Sequence, residues 1–99
     1  MPTFICFLNW TDQGAQNAKD VGKRAKAGKA AAEKLGGRVL SAYVTTGHND
    51  VVITLEMPNG EAMTKFAMAT SAAGNARATT VRAYSIEEFA KLAAEAPKL

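Results

Sequence analysis

The chain carries one cysteine, Cys6, one histidine, His48, and only seven aromatic side chains (four Phe, two Tyr, one Trp) in 99 residues. A lone cysteine closes no internal disulfide, and inside a strand it reads as a small apolar residue. A lone histidine makes no multi-histidine centre, and no Cys, His, Asp or Glu set has metal-ligand spacing, so neither a metal nor a cofactor is expected. No glycine-rich loop leads into a helix as a phosphate cradle would require. The apolar run Phe4-Ile5-Cys6-Phe7-Leu8 is far too short to span a bilayer and has no basic residue before it. The expectation is therefore a cytoplasmic protein without a membrane partner. Asn9-Trp10-Thr11 matches a glycosylation sequon, which without a secretory signal is read as chance.

What is present is a globular balance, with 47% hydrophobic and 21% charged residues, enough for one domain over residues 1–99 and one core. So short a chain buries only about two-thirds of its unfolded surface, so subunit contacts would help it. The net charge is +3, and the isoelectric point lies near 9.2. Much of the positive charge falls on one segment, Lys19, Lys23, Arg24, Lys26, Lys29, Lys34 and Arg38. At helical spacing Lys19, Lys23, Lys26 and Lys34 share one face, and Ala18, Val21, Ala25, Gly28, Ala32 and Leu35 share the opposite one. No aromatic residue interleaves with the lysines for base stacking. The segment reads as a solvated helix face, with no nucleic acid as partner.

Alternation and turn residues divide the chain. Residues 3 to 10 form a strand apolar on both faces, with Phe4, Cys6, Leu8 and Trp10 on one side and Ile5 and Phe7 on the other. Thr11 or Asp12 caps a helix that runs to Leu35 and ends at Gly36-Gly37, weakened by about 1 kcal/mol at each of Gly22 and Gly28. Strands at 38 to 46 and 50 to 57 flank a tight hairpin at Gly47-His48-Asn49. A two-residue His48-Asn49 loop sets Val44 opposite Ile53, Ala42 opposite Leu55 and Leu40 opposite Met57 as an apolar face. The other face then pairs Tyr43 with Thr54 and Ser41 with Glu56. Pro58-Asn59-Gly60 starts a second helix bearing Ala62, Met63, Phe66, Ala67 and Thr70, which ends near Gly74. A fourth strand at 76 to 84 alternates Thr79, Val81 and Ala83 against Thr80, Arg82 and Tyr84. Ser85-x-x-Glu88 is a capping box for a last helix with Ile86, Phe89, Ala90, Leu92 and Ala93 as its apolar stripe.

The order β-α-β-β-α-β plus a helix predicts an α+β, ferredoxin-like fold with an extra C-terminal helix, the first and third strands central. Its two helices cover one sheet face, leaving Ile5, Phe7, Val52 and Tyr43 on the other. A contiguous apolar patch there is unusual in a monomer. The expected cover is a second copy of the same sheet, in a homodimer or higher oligomer, with the C-terminal helix the lesser candidate.

The stretch Trp10-Thr11-Asp12-Gln13-Gly14, then Lys19-Asp20 with Lys23-Arg24, Leu35-Gly36-Gly37, Gly47-x-x-Asp50, and Gly74-Asn75 with Arg77 and Val81-Arg82-Ala83-Tyr84, resembles the GYD domain family from about residue 3 to residue 90. The resemblance implies a dimeric α/β barrel and no assigned reaction. At the loop that relatives build as Gly-x-Tyr-Asp this chain has Gly47-His48-Asn49-Asp50, so Asn49 replaces the phenol there.

The candidate ligand-binding set is the mixed sheet face, where Asn9, Tyr43, Glu56, Arg82 and Tyr84 stand among Ile5, Phe7 and Val52. Apolar walls with a few polar groups describe a small-molecule site. They equally describe a partly hydrated subunit interface, with Glu56 and Arg82 satisfied by pairing or water, and this reading is preferred. His48 and Asp50 are the loop candidates, His48 reading first as an exposed turn residue. Two functions follow from these residues. One is an oligomeric module that binds a small molecule or a partner without chemistry of its own. The other is a cofactor-independent isomerase or monooxygenase-like enzyme acting on an apolar or aromatic compound between sheets, with Tyr43, Glu56 and Arg82 orienting it.

Overall fold

The computed structural model describes residues 1–99. Its elements run β1 (Thr3–Trp10), α1 (Asp12–Gln16), a 3₁₀ turn (Ala18–Asp20), α2 (Val21–Lys34), β2 (Arg38–Val44), β3 (Val51–Glu56), α3 (Gly60–Ala72), β4 (Ala76–Ala83) and α4 (Ile86–Glu95). The four strands form one sheet in the order β2-β3-β1-β4 with every neighbour antiparallel. The two apolar strands are therefore central, as the sequence pattern requires, and the α+β, ferredoxin-like order is present.

The core lies on one face of this sheet. Phe4, Cys6 and Leu8 of β1 and Val51 and Leu55 of β3 are buried together with Met57, Ala32 of α2, Ala62, Met63 and Phe66 of α3, and Ala76. Every second residue of a strand points the same way, so one alternating set of each central strand enters this layer. Fully burying a side chain such as Phe66 or Leu55 contributes roughly 1.5–3 kcal/mol, and only 12 of 99 residues are buried. The core is thus small for the length of chain it must hold.

The helix expected from Thr11 to Leu35 is broken. Thr11 caps α1 by accepting the Gly14 N–H at 3.2 Å, and the chain leaves helical geometry at Asn17, where φ is −100° and ψ is 24°. Its carbonyl is taken by the Asp20 N–H at 2.9 Å and by Arg24 Nη1 at 2.7 Å. Periodicity alone did not show this break, because the 3₁₀ turn keeps the apolar residues on roughly the same side. The far end of α2 follows the expectation. Gly36, at φ 87°, occupies the left-handed position, with its N–H bonded to Glu33 and the Gly37 N–H bonded to Ala32.

The hairpin register differs from the sequence expectation. Tyr43 pairs with Val52, Ala42 with Ile53 and Ser41 with Thr54, and the pairing slips by one residue between Val39 and Ser41. Thr45 donates its N–H to the Asp50 carbonyl at 2.8 Å, so the loop is longer than His48-Asn49. A shift by an even number of residues keeps each side chain on its face. The face assignment of Ser41, Tyr43 and Glu56 therefore survives, although their partners change.

Helix α4 opens with the expected capping box. The Ser85 N–H donates to Glu88 Oε1 at 2.9 Å and the Glu88 N–H to Ser85 Oγ at 3.0 Å. The backbone bond from Ser85, then the one from its hydroxyl, hold the Glu88 carboxyl below its usual range. Every residue of the helix is exposed, Ile86 by 85% and Phe89 by 59%, so its apolar stripe covers nothing in its own chain. The radius of gyration, 15.0 Å, exceeds the roughly 13 Å of a compact domain this long.

Candidate functional site

The sheet face opposite the core carries Ile5, Phe7 and Asn9 of β1, Val52, Thr54 and Glu56 of β3, Ser41 and Tyr43 of β2, and Thr79 and Val81 of β4. Cross-strand pairing sets Phe7 beside Val52 and Thr79, and Ile5 beside Thr54 and Val81. The centre is apolar and not covered: Val81 is 42% exposed and Tyr43 68%. At its rim the Ser41 and Thr54 hydroxyls bond to each other and Arg38 Nε donates to Glu56 Oε1 at 2.7 Å, while Arg77 of β4 stands on the same face opposite Asn9 in no ion pair.

The five ligand-binding candidates do not converge. Glu56 sits opposite Thr3 at one end of β1, and Asn9 is six residues further along the same strand, roughly 20 Å away at about 3.4 Å per residue. Tyr43 lies on the edge strand beside Val52. Arg82 is on the opposite face, because it pairs with Phe4 and its neighbour Thr80 pairs with Cys6, both core residues. Its guanidinium packs 4.2 Å from the centroid of the Tyr84 ring, beyond the end of β4, and Nη1 donates to the Thr3 carbonyl at 3.2 Å. Arg82 and Tyr84 are thereby removed from the open face. The partner that balances Glu56 is Arg38, not Arg82. The alternation of β4 is equally polar in both sets, so hydropathy left its parity open.

The Gly47–Asp50 loop is tied to β1. Asp50 Oδ2 accepts the Trp10 N–H at 2.8 Å, while the Asp50 N–H donates to the Leu8 carbonyl at 2.9 Å. With its nitrogen turned toward the loop, the Asn9 amide donates to the His48 carbonyl at 3.2 Å and Asn49 Oδ1 at 3.1 Å. Thr45 Oγ1 donates to the Asn49 carbonyl at 2.6 Å. Gly47 takes φ 129°, which side-chain-bearing residues avoid. His48 is exposed and its ring has no hydrogen-bond partner in the protein. The loop residues thus serve the turn, and Asn9 and Asp50 act there as structural groups. Asp50→Ala strands the Trp10 N–H, and a loss of about 1–3 kcal/mol in urea unfolding is the expected outcome. An unchanged midpoint would contradict the assignment.

The separated motifs also meet in space. Thr11 Oγ1 donates to the Gly74 carbonyl at 2.6 Å, the Thr11 N–H to the Asn75 carbonyl at 3.1 Å, and Gln13 Nε2 to Asn75 Oδ1 at 3.1 Å. Gly14 is buried against the same Asn75 backbone. This is a clasp between α1 and the turn before β4, its polar atoms bonded to one another.

Cys6 is fully buried. Burial pushes its thiol pKa up, opposed by a weaker bond from the Thr80 hydroxyl, 3.8 Å from the sulfur. A buried, protonated thiol is a poor nucleophile. The native protein should resist a thiol-specific disulfide reagent and react fully once unfolded in urea. Reaction of the native chain at a free-thiol rate would show that the core opens.

On the core side of the sheet, a chamber of about 320 Å³ separates α2 from α3. Its floor includes Trp10, Ile53 and Ala42, and its walls are Ala25, Gly28 and Ala31 of α2 facing Ala69 of α3 and Ala73 at that helix's C-cap. Small side chains on both helices leave the space between them unfilled. The spacing of these small residues was visible in the sequence, but not the fact that the two helices face each other with them. Arg24 lines the chamber, and its Nη2 is buried with no hydrogen-bond partner in the protein.

The chain matches the family model described as GYD domain over residues 4–93. A comparison with curated proteins gave no match. Among solved structures it is similar to the crystal structure of TTHA0845 from Thermus thermophilus, with a TM-score of 0.54 and 22% identity over 86% of this chain and 95% of that one. At that identity the likeness speaks to the fold. No helix of the chain is long and apolar enough to cross a membrane.

Proposed function

The chain belongs to the GYD domain family, and from that premise we propose that it works as a self-associating binding module whose open sheet face meets the same face of a second copy. The observation that carries this reading is the uncovered apolar centre of the sheet, Ile5, Phe7, Val52 and Val81, in a chain whose one spare helix lies elsewhere. Had α4 folded back over that face, its stripe would be buried, whereas Ile86, Phe89 and Leu92 are all exposed. A two-fold assembly is self-complementary, since each copy presents the same apolar centre and the same polar rim of Ser41, Thr54, Arg38 and Glu56. Packing two such faces continues the sheet-on-sheet logic of a barrel-like dimer. The enzyme reading loses support, because Arg82, its charge stabiliser, stands on the other side of the sheet from Tyr43 and Glu56. Sedimentation equilibrium tests the proposal. It predicts a mass at least twice the chain's 10.4 kDa at micromolar concentration, and a monomer throughout that range would refute it.

A further inference from the structure

We propose that the chamber between α2 and α3 is a binding site for a small organic carboxylate with an apolar body, its hydrocarbon part lying among the alanines and its carboxylate on Arg24. Its volume, about 320 Å³, is at the small end of the roughly 300–1,000 Å³ that small-molecule pockets occupy. The lining is predominantly apolar, so the occupant must be predominantly apolar. An unfilled space of this kind deprives its walls of dispersion contacts on one side, which a fitting hydrocarbon restores.

Charge selects the head group. Arg24 and Lys29 line the chamber and no Asp or Glu does, so the wall favours an anion. Within it, Arg24 is held by Nη1, which donates to the Asn17 carbonyl at 2.7 Å, while Nη2 is buried without a partner. A buried charged donor without an acceptor is costly to leave so. A carboxylate oxygen satisfies it with a charge-assisted bond. The break in the helix at Asn17 sets this arrangement, because the carbonyl freed there fixes the guanidinium at the chamber wall. Of the other polar lining residues, the Thr70 hydroxyl already donates to the Phe66 carbonyl and Asn75 Oδ1 accepts from Gln13, and apart from the two cations the rest of the lining is apolar or glycine. The selection is therefore for class, an alkyl or aryl monocarboxylate, by size and charge. This site lies on the face of the sheet opposite the one assigned to self-association and does not depend on that reading.

Isothermal titration of the full chain with decanoate, decanol and decylamine tests it. Decanoate should bind once per chain, decanol at least about tenfold more weakly and decylamine more weakly still. Arg24→Gln should bring decanoate to the level of decanol, and Gly28→Leu, which fills the chamber, should abolish both. Equal affinity for decanoate and decanol in the wild-type chain would overturn the proposal without reference to any variant. So would an absence of heat with all three probes at millimolar concentration, since the space would then be filled by protein in solution. Decanoate binding that survives Gly28→Leu in a folded variant would place the ligand elsewhere and overturn it too.

Discussion

Phe7→Asp is expected to leave a folded monomer at concentrations where the wild-type chain is associated. Phe7 is half-buried within its own sheet, between Val52 and Thr79, so in a single copy the new carboxylate reaches water and costs the fold little. Between two sheets it would be desolvated with no cation paired to it in register, since Arg77 of β4 stands opposite Asn9 and Arg38 is engaged with Glu56 at the sheet's end. Burying an unpaired carboxylate costs several kcal/mol, and about 4 kcal/mol is roughly a thousandfold in Kd. Light scattering should therefore report the monomer mass, while circular dichroism reports an intact fold. A variant that associates as tightly as the wild type would remove Phe7 from any interface.

Gly14→Ala should be among the most destabilising single substitutions of its size. An added Cβ would overlap the Asn75 carbonyl oxygen, with the carbonyl carbon 2.8 Å away. That carbonyl cannot retreat cheaply, because it accepts the Thr11 N–H at 3.1 Å. Relief requires separating α1 from the turn before β4, which breaks the Thr11 and Gln13 bonds together. Overpacking of this kind costs about 1–3 kcal/mol or more, a large share of the roughly 5–15 kcal/mol that holds a domain. Gly22→Ala is the internal control. Its Cβ would meet nothing within 4 Å, so helix propensity alone predicts a gain of roughly 0.5–1 kcal/mol. Urea midpoints that moved in the same direction for both would contradict the close approach at Gly14.

The strands and their order were legible because β1 and β3 carry apolar residues in both alternating sets, and only the centre of a sheet can use them. The Schellman end of α2 and the capping box of α4 were legible because Gly36-Gly37 and Ser85-x-x-Glu88 are local signals that tertiary contacts do not override. Three features were not. The break at Asn17 frees a carbonyl that Arg24, seven residues on, takes up, and leaves no mark on the periodicity. The slip between Val39 and Ser41 adjusts the hairpin to a loop whose length is fixed by the Asp50 bonds to β1, contacts forty residues apart in the chain. The parity of β4 turns on whether Thr80 or Thr79 faces Cys6, and two threonines give hydropathy nothing to choose between. That last point moved Arg82 and Tyr84 away from the open face and with them the cluster on which an enzymatic reading rested.

What stays on the open face is an apolar centre with a polar rim, and apart from Arg77 and Val81 the motifs that mark the family lie elsewhere, chiefly in the clasp at Trp10–Gly14 and the loop at Asp50. On this account those motifs preserve the geometry of the end of β1, and the face they frame is what a second copy meets. An isotope-filtered nuclear Overhauser experiment on a mixture of labelled and unlabelled chains tests that most directly. The account predicts intermolecular cross-peaks from Ile5, Phe7, Val52 and Val81 to the same residues of the other copy. Cross-peaks confined to the α2 surface, or none in a sample shown to be associated, would contradict it.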